Sequence, residues 1–366
     1  MPSATTDPRE LEAARGGDEN AFARLIEPYR RELHAHCYRM LGSVFDADDA
    51  LQDTTLRAWR ALGRFEGRSS LRSWLYTIAT NTCLTQIQRR PKRILPVDYG
   101  PATDPHAGPG EPLVESVWIE PYPDSELGLD DGLAGPDARY EQRESIELAF
   151  VVALQHLPAT QRAVLILREV LGYSAKEVAE TLDTTVASVN SALQRARASL
   201  EARTPERSQQ ATLEAIGDDE LRAMVDRYVE AWERTDVETV VSMLAEDATF
   251  AMPPAATWFG PLPQIEQFLR GFAMVPRIRW KGVPTTANGQ AAIGFYARDD
   301  DAGAYLPFAL NVLTFRGREI VDVTAFINRV ADAPDPESYH RWDNLPADAQ
   351  RLEGTFGRFG LPDRIA

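Results

Sequence analysis

Apolar residues recur every three or four positions through most of the first 90 residues, which is the spacing of amphipathic helices. Residues 7–40 are predicted to be helical, with Asp18 in the position of an N-cap. A second helix is predicted over Asp46–Trp59 and a third over Ser70–Gln88, where Pro91 stops it because proline cannot continue a helix. Together these helices predict an all-α domain over residues 7–93.

Prolines then interrupt residues 94–140 so often that no long helix can form there. Between Asp98 and Asp137 the chain carries ten acidic residues and neither lysine nor arginine. A loop of this length is unusual inside a compact domain, so we interpret it as an acidic linker between domains. Its aromatic island, Val114–Asp124, is expected to dock on another part of the protein.

Helical spacing returns in residues 141–203 and ends in two helices that lie close together in the sequence. Ser174 and Glu177 have the spacing of a capping box at the start of the first, and Thr185 can cap the second, which runs to Leu200. A short helix, a tight turn and a second helix predict a helix-turn-helix. A plain helical hairpin is the alternative.

Amphipathic helices open residues 218–330, and strand-like segments follow them. Strands are predicted over 248–252, 276–283, 290–298, 304–315 and 319–328, with one helix over 265–272. Helices followed by a run of strands predict an α+β domain. Residues 331–366 form a Pro- and Asp-rich tail, which we expect to be partly ordered against another domain.

Length and composition fit a multidomain globular protein, since the chain has 366 residues and 44% of them are apolar. No apolar run reaches the roughly 20 residues that span a bilayer, and the polar start lacks a signal-peptide profile. We therefore expect no membrane contact and a cytoplasmic location. Cys37 and Cys83 lack zinc-ligand spacing and are expected to be buried free thiols, with no metal site and no cofactor.

The net charge of −16 argues against nucleic-acid binding only if the charge is spread evenly. It is not, because basic residues cluster from Arg64 to Arg93 around an apolar helix. Such a stretch suits a nucleic-acid strand held by its phosphates, although a core helix with solvated arginines has the same pattern. The helix before it carries an acidic face, which is either solvated or a docking face for a basic partner.

Five segments together resemble an extracytoplasmic-function RNA polymerase sigma factor of the SigG-like subgroup. They are Asp46–Trp59, Phe65–Asn81, Leu157–Val164, Arg195–Arg197 and the linker island Trp118–Asp124. Residues 218–330 resemble a SnoaL-like domain, a cone-shaped fold related to nuclear transport factor two. The resemblance implies two all-α sigma domains, a helical bundle and a helix-turn-helix, followed by an α+β cone domain.

The resemblance also assigns roles to residues. Contact with core RNA polymerase is expected from Asp46, Asp49, Gln52, Asp53 and Arg57. Promoter melting and capture of a flipped base are expected from Arg64, Arg68, Ser69, Arg72, Trp74, Asn81, Arg89 and Arg90. Recognition of the upstream promoter element is expected from Ser188, Asn190, Ser191, Arg195 and Arg197 on the last helix of the helix-turn-helix.

The C-terminal domain leaves three roles open: catalysis, ligand sensing and regulatory packing on the sigma domains. An apolar pocket could be lined by Trp232, Phe250, Met252, Trp258, Phe259 and Phe308, or these side chains could simply form the core. Residues 218–330 contain no histidine, and only Asp247, Asp322 and Glu319 are candidate acids or bases. We therefore expect no enzyme, and we expect the domain to regulate the sigma domains in cis.

A different class of function is a repressor that binds duplex DNA without polymerase and senses a ligand through the SnoaL-like domain. It predicts tight binding to DNA alone, whereas a sigma factor needs core polymerase for promoter binding. For the sigma factor we expect two partners, core RNA polymerase and promoter DNA. A small-molecule ligand in the C-terminal domain stays open, and no obligate homo-oligomer is expected.

Overall fold

The chain folds into two compact units, here called unit 1 (residues 1–93 and 126–206) and unit 2 (residues 94–125 and 207–366). A computed structural model describes residues 7–108, 117–127, 136–328 and 354–366, and for residues 136–139 the backbone alone. Within these ranges no helix is both long and apolar enough to cross a membrane.

The N-terminal part of unit 1 is a bundle of five helices. They are α1 (Pro8–Arg15), α2 (Glu19–Ile26), α3 (Arg30–Leu41), α4 (Val44–Ala61) and α5 (Leu71–Ile87). The N-cap predicted at Asp18 is confirmed, since Asp18 caps α2, but the helical stretch over 7–40 is not continuous, because Gly17 takes a positive φ of 95° and ends the turn after α1. Pro28 then lies in a short 3₁₀ turn that separates α2 from α3.

Helix α3 lies at the centre of this bundle, and its Leu33, Tyr38 and Met40 are almost completely buried. Serine hydroxyls cap the two helices that pack on it: Ser43 accepts the Asp46 N–H of α4, and Ser70 accepts the Ser73 N–H of α5, each at 3.1 Å. These caps set where α4 and α5 begin, and thereby which of their residues face outward.

His36 of α3 is fully buried, with its Nε2 atom 2.9 Å from the Thr80 hydroxyl. Burial, assisted by Arg39 and Arg72, lowers the pKa of His36 from 6.5 to about 3. Because the unfolded chain binds this proton below pH 6.5 and the folded chain does not, the stability of unit 1 should fall as the pH falls. From pH 7.5 to pH 5 we expect His36 to contribute a loss of about 2 kcal/mol, with the decline ending only near the folded-state pKa.

Denaturant unfolding followed by helical circular dichroism measures this effect. His36→Gln should flatten the dependence of unfolding free energy on pH below 6.5 by about one proton. His106→Gln, at an exposed position of unit 2, is the matched control. Parallel pH profiles for His36→Gln and the unsubstituted protein would contradict the expectation.

A four-residue helix, α6 (Pro96–Tyr99), belongs to unit 2, and five more helices complete unit 1. They are α7 (Pro136–Glu144), α8 (Leu148–Gln155), α9 (Ala159–Leu165), α10 (Ala175–Thr181) and α11 (Val186–Glu201), with a π-helical turn at Ile166–Val170 after α9. The capping box of α10 is confirmed, with Ser174 N–H to Glu177 Oε2 at 2.8 Å and the reciprocal bond at 3.2 Å. Thr185 caps α11, so α10 and α11 form the predicted helix-turn-helix.

The two groups of helices in unit 1 pack directly on each other. Arg39 of α3 donates to the carbonyl and hydroxyl of Ser145, at 3.0 and 2.7 Å. Arg162 of α9 donates across the same interface to the Met40 carbonyl at the end of α3, and also to the side chain of Gln155. The two helical domains therefore form one compact body.

Unit 2 contains a six-stranded mixed sheet, order β2-β1-β6-β5-β4-β3, in which β1 and β6 are parallel and the other pairs antiparallel. The strands are β1 (Leu244–Ala251), β2 (Trp258–Phe259), β3 (Trp280–Ala287), β4 (Gln290–Asp299), β5 (Ala304–Arg316) and β6 (Glu319–Ile327). The helices are α12 (Gln209–Ile216), α13 (Asp218–Glu233), α14 (Val237–Met243) and α15 (Leu262–Phe268). The α+β prediction is confirmed, although β3 starts four residues later than predicted and β2 was missed.

The end of the tail packs on this sheet. Phe356 is completely buried, Leu361 almost so, and Ile365 pairs with Tyr305 of β5 at 2.8 and 3.0 Å. Gly294 of β4 makes room for it, because a Cβ atom there would lie 2.5 Å from Leu361 Cδ1. The tail is thus ordered within unit 2, while Tyr339 and Trp342 lie outside the described residues.

Candidate nucleic-acid and polymerase interface

One face of α4 presents acidic and apolar side chains to solvent. Asp49, Gln52, Asp53 and Arg57 are exposed, as predicted from the helical spacing. Phe45 and Leu56 lie among them with 65% and 44% of their surfaces exposed. Exposed large apolar side chains beside acids are typical of a protein-binding surface. We call Phe45, Asp49, Gln52, Asp53 and Leu56 the docking face.

Asp46 does not belong to this face, and its predicted exposure is wrong. Its side chain is 5% exposed and accepts a hydrogen bond from Arg93 Nε at 3.0 Å, with Arg90 as a second ionic partner. A carboxylate this deeply buried needs such partners. Asp46 therefore holds the segment after α5 against the start of α4, and Arg90 takes part in this cluster.

The loop between α4 and α5 exposes Arg64, Arg68 and Ser69. Arg68 has one carboxylate partner, Glu66, at 2.6 Å on the protein surface, and such exposed pairs are weak. The loop is anchored by Phe65, which is buried and packs on Trp74 with ring centroids 5.0 Å apart. The packing of Phe65 on Trp74 therefore holds the loop in place while its polar side chains stay exposed.

The other predicted melting residues divide into two groups. Asn81 and Arg89 are exposed along the outer side of α5 and after its end, and Trp74 is half-buried. Arg72, in contrast, forms a bidentate ion pair with Glu32 at 2.7–3.0 Å and lies over the ring of Tyr76. Arg72 thus connects α5 to α3, and its predicted contact with nucleic acid would compete with this ion pair.

Helix α11 buries Val189, Leu193 and Ala196 and turns the opposite face outward. That face carries the five predicted DNA-binding residues, all of them exposed: Ser188, Asn190, Ser191, Arg195 and Arg197. Arg197 pairs with Glu169 at 2.7 Å, an exposed contact that a phosphate could replace. Short polar side chains near the start and arginines farther along fit a helix that enters a major groove.

Unit 2 encloses a cavity of about 310 Å³ between its helices and the concave side of its sheet. Trp232, Phe250, Met252 and Phe308 line it as predicted. Further lining comes from aromatic residues whose contribution the sequence did not reveal, Phe272, Trp280 and Phe295.

Trp258 and Phe259 do not line the cavity, which corrects their predicted place. Phe259 is buried in the core, stacked on Phe268 at 4.3 Å. Trp258 donates its indole N–H to the Gly100 carbonyl at 2.9 Å.

None of the three carboxylates considered as catalytic candidates lines this cavity. Asp247 forms an exposed ion pair with Arg316 at 2.6 Å, which lowers the pKa of its carboxyl. Burial raises the pKa of Asp322, opposed by hydrogen bonds from Thr249 and Thr324. Among the described lining residues the only ionisable side chains are Arg277 and Arg298. The cavity thus offers binding surface rather than an acid or base.

The described parts of the predicted linker, residues 94–108 and 117–125, belong to unit 2. Ile94, at the start of the linker, is hydrogen-bonded to the aromatic island. Its N–H donates to Val117 O at 2.9 Å, and its carbonyl accepts from Ile119 N at 3.1 Å. Trp118, Ile119 and Tyr122 are buried, which confirms that the aromatic island docks on another part of the protein.

A turn and an edge strand of the C-terminal domain hold this linker. At the β3–β4 turn, the Tyr122 N–H donates to Asn288 Oδ1, and the Asn288 N–H donates back to the Tyr122 carbonyl, both at 2.8 Å. At the edge strand β2, the Thr103 N–H donates to the Trp258 carbonyl at 2.8 Å. Asn288 takes a positive φ of 55° in the β3–β4 turn, as its Asn-Gly sequence suggests. The sequence gives no sign, however, that the Asn288 side chain binds the linker.

The comparisons with known proteins agree with this arrangement. Residues 25–93 match the family model of sigma-70 region 2, residues 147–200 that of sigma-70 region 4, and residues 225–332 that of the SnoaL-like domain. The ECF RNA polymerase sigma factor SigG of Mycobacterium tuberculosis is 41% identical over 363 residues, covering 98% of this chain and 87% of the relative. The chain belongs to the extracytoplasmic-function sigma factors.

Two further proteins show how much of this sigma factor is shared with others. The RNA polymerase sigma-H factor of Pseudomonas aeruginosa is 29% identical, covering 55% of this sigma factor and 95% of that relative. Nearly half of this sigma factor thus has no counterpart there. The crystal structure of the Mycobacterium tuberculosis extracytoplasmic function sigma factor SigJ covers 86% of this chain and 97% of its own, with a TM-score of 0.52 at 21% identity, so its overall fold is similar.

Membership of this family identifies the sigma factor as a transcription regulator that binds RNA polymerase and promoter DNA. The repressor alternative is therefore set aside. The exposed side chains of the docking face, of the α4–α5 loop and of α11 remain the predicted contacts with those partners.

Proposed function

We propose that unit 2 restrains transcription initiation in cis by holding the linker that joins the two sigma domains. The observation that supports this most directly is the docked linker, with Trp118, Ile119 and Tyr122 buried on the C-terminal domain. A linker buried in this way cannot contact the polymerase at the same time, so full engagement of core enzyme requires it to undock.

Charge supports the same proposal. By sequence, unit 2 carries 30 acidic against 16 basic residues, while unit 1 carries 25 against 23. Most of the net charge of −16 therefore belongs to the part of the chain that carries no sigma domain. An acidic body on the same chain as the promoter-binding surfaces repels DNA phosphates, and the repulsion weakens as the tether lengthens.

For the sigma domains we propose the following division of work. The docking face on α4 binds the polymerase, with Arg57 beside it. Arg64, Arg68, Ser69, Trp74 and Asn81 open the promoter and hold a displaced base, and the exposed face of α11 reads the upstream element. Arg89 contributes a phosphate contact near the end of α5.

The C-terminal domain, in this proposal, is regulatory and not catalytic. Its cavity lacks a lining carboxylate or histidine among the described residues, although it has the size and apolar character to accept a small-molecule ligand. We place the protein in the cytoplasm, where its polymerase partner works.

A substitution at Asn288 tests the restraint. Asn288→Gly removes the amide that accepts the Tyr122 N–H, while glycine tolerates the positive φ of the turn. Leaving that buried N–H unsatisfied costs about 1–3 kcal/mol, so the docked linker should become roughly 5- to 100-fold less favoured. Promoter-dependent transcript from core polymerase reconstituted with full-length protein should then rise severalfold.

Asn288→Asp is the matched control, because it keeps an acceptor oxygen at the same position. It should behave like the unsubstituted protein. Amide exchange of the 117–125 segment would verify that only the glycine variant releases the linker. A released linker without any change in transcript would show that docking does not restrain initiation.

A further inference from the structure

The docked linker also completes the cavity of unit 2. Ala107 and Gly108 form part of its wall, although they are more than 120 residues away in sequence from every other residue that lines it. Gly108 takes a positive φ of 71°, and a Cβ atom there would lie 2.7 Å from Phe272 Cε1. Only glycine lets the linker backbone approach this ring so closely. The cavity is therefore complete only while the linker is docked.

The inner wall of the cavity is apolar except for a small group of polar atoms. Asn311 and Trp232 line it, and Tyr228 lies behind them, with all three side chains buried. The Tyr228 hydroxyl and the Trp232 indole N–H have no hydrogen-bond partner among the described residues. Trp232 and Asn311 nevertheless lie close enough to the hydroxyl to oppose the rise in its pKa that burial causes.

Unpartnered buried donors are unfavourable, and in natural proteins they commonly mark a place where another molecule binds. The indole N–H can only donate, so it requires an acceptor. The rest of the lining is mainly aromatic and aliphatic, with Arg277 and Arg298 as its ionisable groups, which disfavours a cation. The volume of about 310 Å³ lies at the lower end of ligand pockets, which run from about 300 to 1,000 Å³.

We propose that this cavity binds a compact, largely apolar molecule carrying one oxygen acceptor, and that the docked Ala107–Gly108 segment forms its lid. The oxygen accepts from Trp232 Nε1 and is positioned by Asn311, while the aromatic walls enclose the apolar body.

A molecule enclosed in this way touches the linker only in the docked state, so its binding favours docking. The regulatory effect rests on the proposed restraint. The bound molecule would strengthen the restraint of initiation, and its departure would free the linker.

Two probes that differ by one oxygen test the site in the full-length protein. We expect 2-naphthol to bind more tightly than naphthalene, with affinities measured by calorimetry. Trp232→Phe removes the donor and keeps an aromatic body, so it should lower the preference for 2-naphthol about tenfold while naphthalene binds as before. Asn311→Leu should act in the same direction.

The lid is tested by hydrogen exchange. Saturating 2-naphthol should slow exchange of the Thr103 and Tyr122 amides, which bind Trp258 and Asn288 in the docked linker. Gly108→Val should lift the lid from Phe272 and lower the affinity for both probes about tenfold or more. Absence of binding, an unchanged preference in Trp232→Phe, or unchanged linker exchange would each overturn the proposal. If binding shows the expected preference but Asn288→Gly leaves transcription unchanged, the site stands and the restraint fails.

Discussion

Asp49→Arg combined with Asp53→Arg is expected to weaken binding of core RNA polymerase about a hundredfold, or by about 2.7 kcal/mol. Both carboxylates lie on the docking face, for which we propose a basic partner surface on the polymerase. Reversal replaces two attractions by two repulsions, each acting at short range. Titration of fluorescently labelled core enzyme measures the change, and most of it should disappear at high salt.

Glu214→Arg/Asp219→Arg is the matched control, since it makes the same change in net charge at two exposed positions of unit 2. It should leave polymerase affinity within about twofold of the unsubstituted value. Phe45→Ala should weaken binding without changing its salt dependence, because it removes apolar contact and no charge. Equal losses in the double reversal and its control would remove α4 as the docking site.

Arg162→Met is expected to destabilise unit 1 by on the order of 3 kcal/mol or more. Burial lowers the pKa of Arg162 to about 10, so the guanidinium remains charged at neutral pH. It donates to the Met40 carbonyl near the end of α3, to Gln155 O at the end of α8 at 3.0 Å, and to Leu157 O just after α8 at 3.3 Å. Methionine fills a similar space but leaves these buried acceptors without a donor.

Arg162→Lys should recover only part of the loss, because an ammonium group cannot reach carbonyls on both helices at once. Arg60→Met, at an exposed position of α4, is the surface control and should change the unfolding free energy by less than about 0.5 kcal/mol. Denaturant unfolding followed by helical circular dichroism gives the values. A loss in Arg162→Met no larger than in Arg60→Met would show that the buried network does not hold the two helical domains together.

Periodicity predicted most of the elements, because the core faces of both units are regular. The S-x-x-E capping box of α10 and the Asn288-Gly289 turn between β3 and β4 are local signals, and the structure contains both. The helical stretch predicted over 7–40 is interrupted for a local reason as well: helical spacing continues across Gly17 and Pro28, although the backbone does not.

Burial of charge could not be predicted in the same way. Asp46 and Arg72 have the spacing of exposed residues, and only the fold shows that Arg93 and Glu32 neutralise them. The cavity was predicted in part, since Trp232 and Phe250 lie on elements whose inner faces are recognisable. Its lid comes from a linker that the sequence marks only as acidic and rich in proline, so Gly108 could be assigned no role beforehand.

The hydrogen bonds that Ile94 makes with Val117 and Ile119 also limit how far apart the linker lets the two sigma domains move. Fully extended, the 42 residues between Arg93 and Pro136 could span about 140 Å. While Ile94 is hydrogen-bonded to Ile119, only the 16 residues between Ile119 and Pro136 can extend, and these span roughly 55 Å. For a flexible tether, that shortening raises the effective concentration of one sigma domain around the other about fourfold. Once the two domains separate, the range of distances between promoter elements that they can bridge therefore depends on the hydrogen bonds that Ile94 makes with Val117 and Ile119.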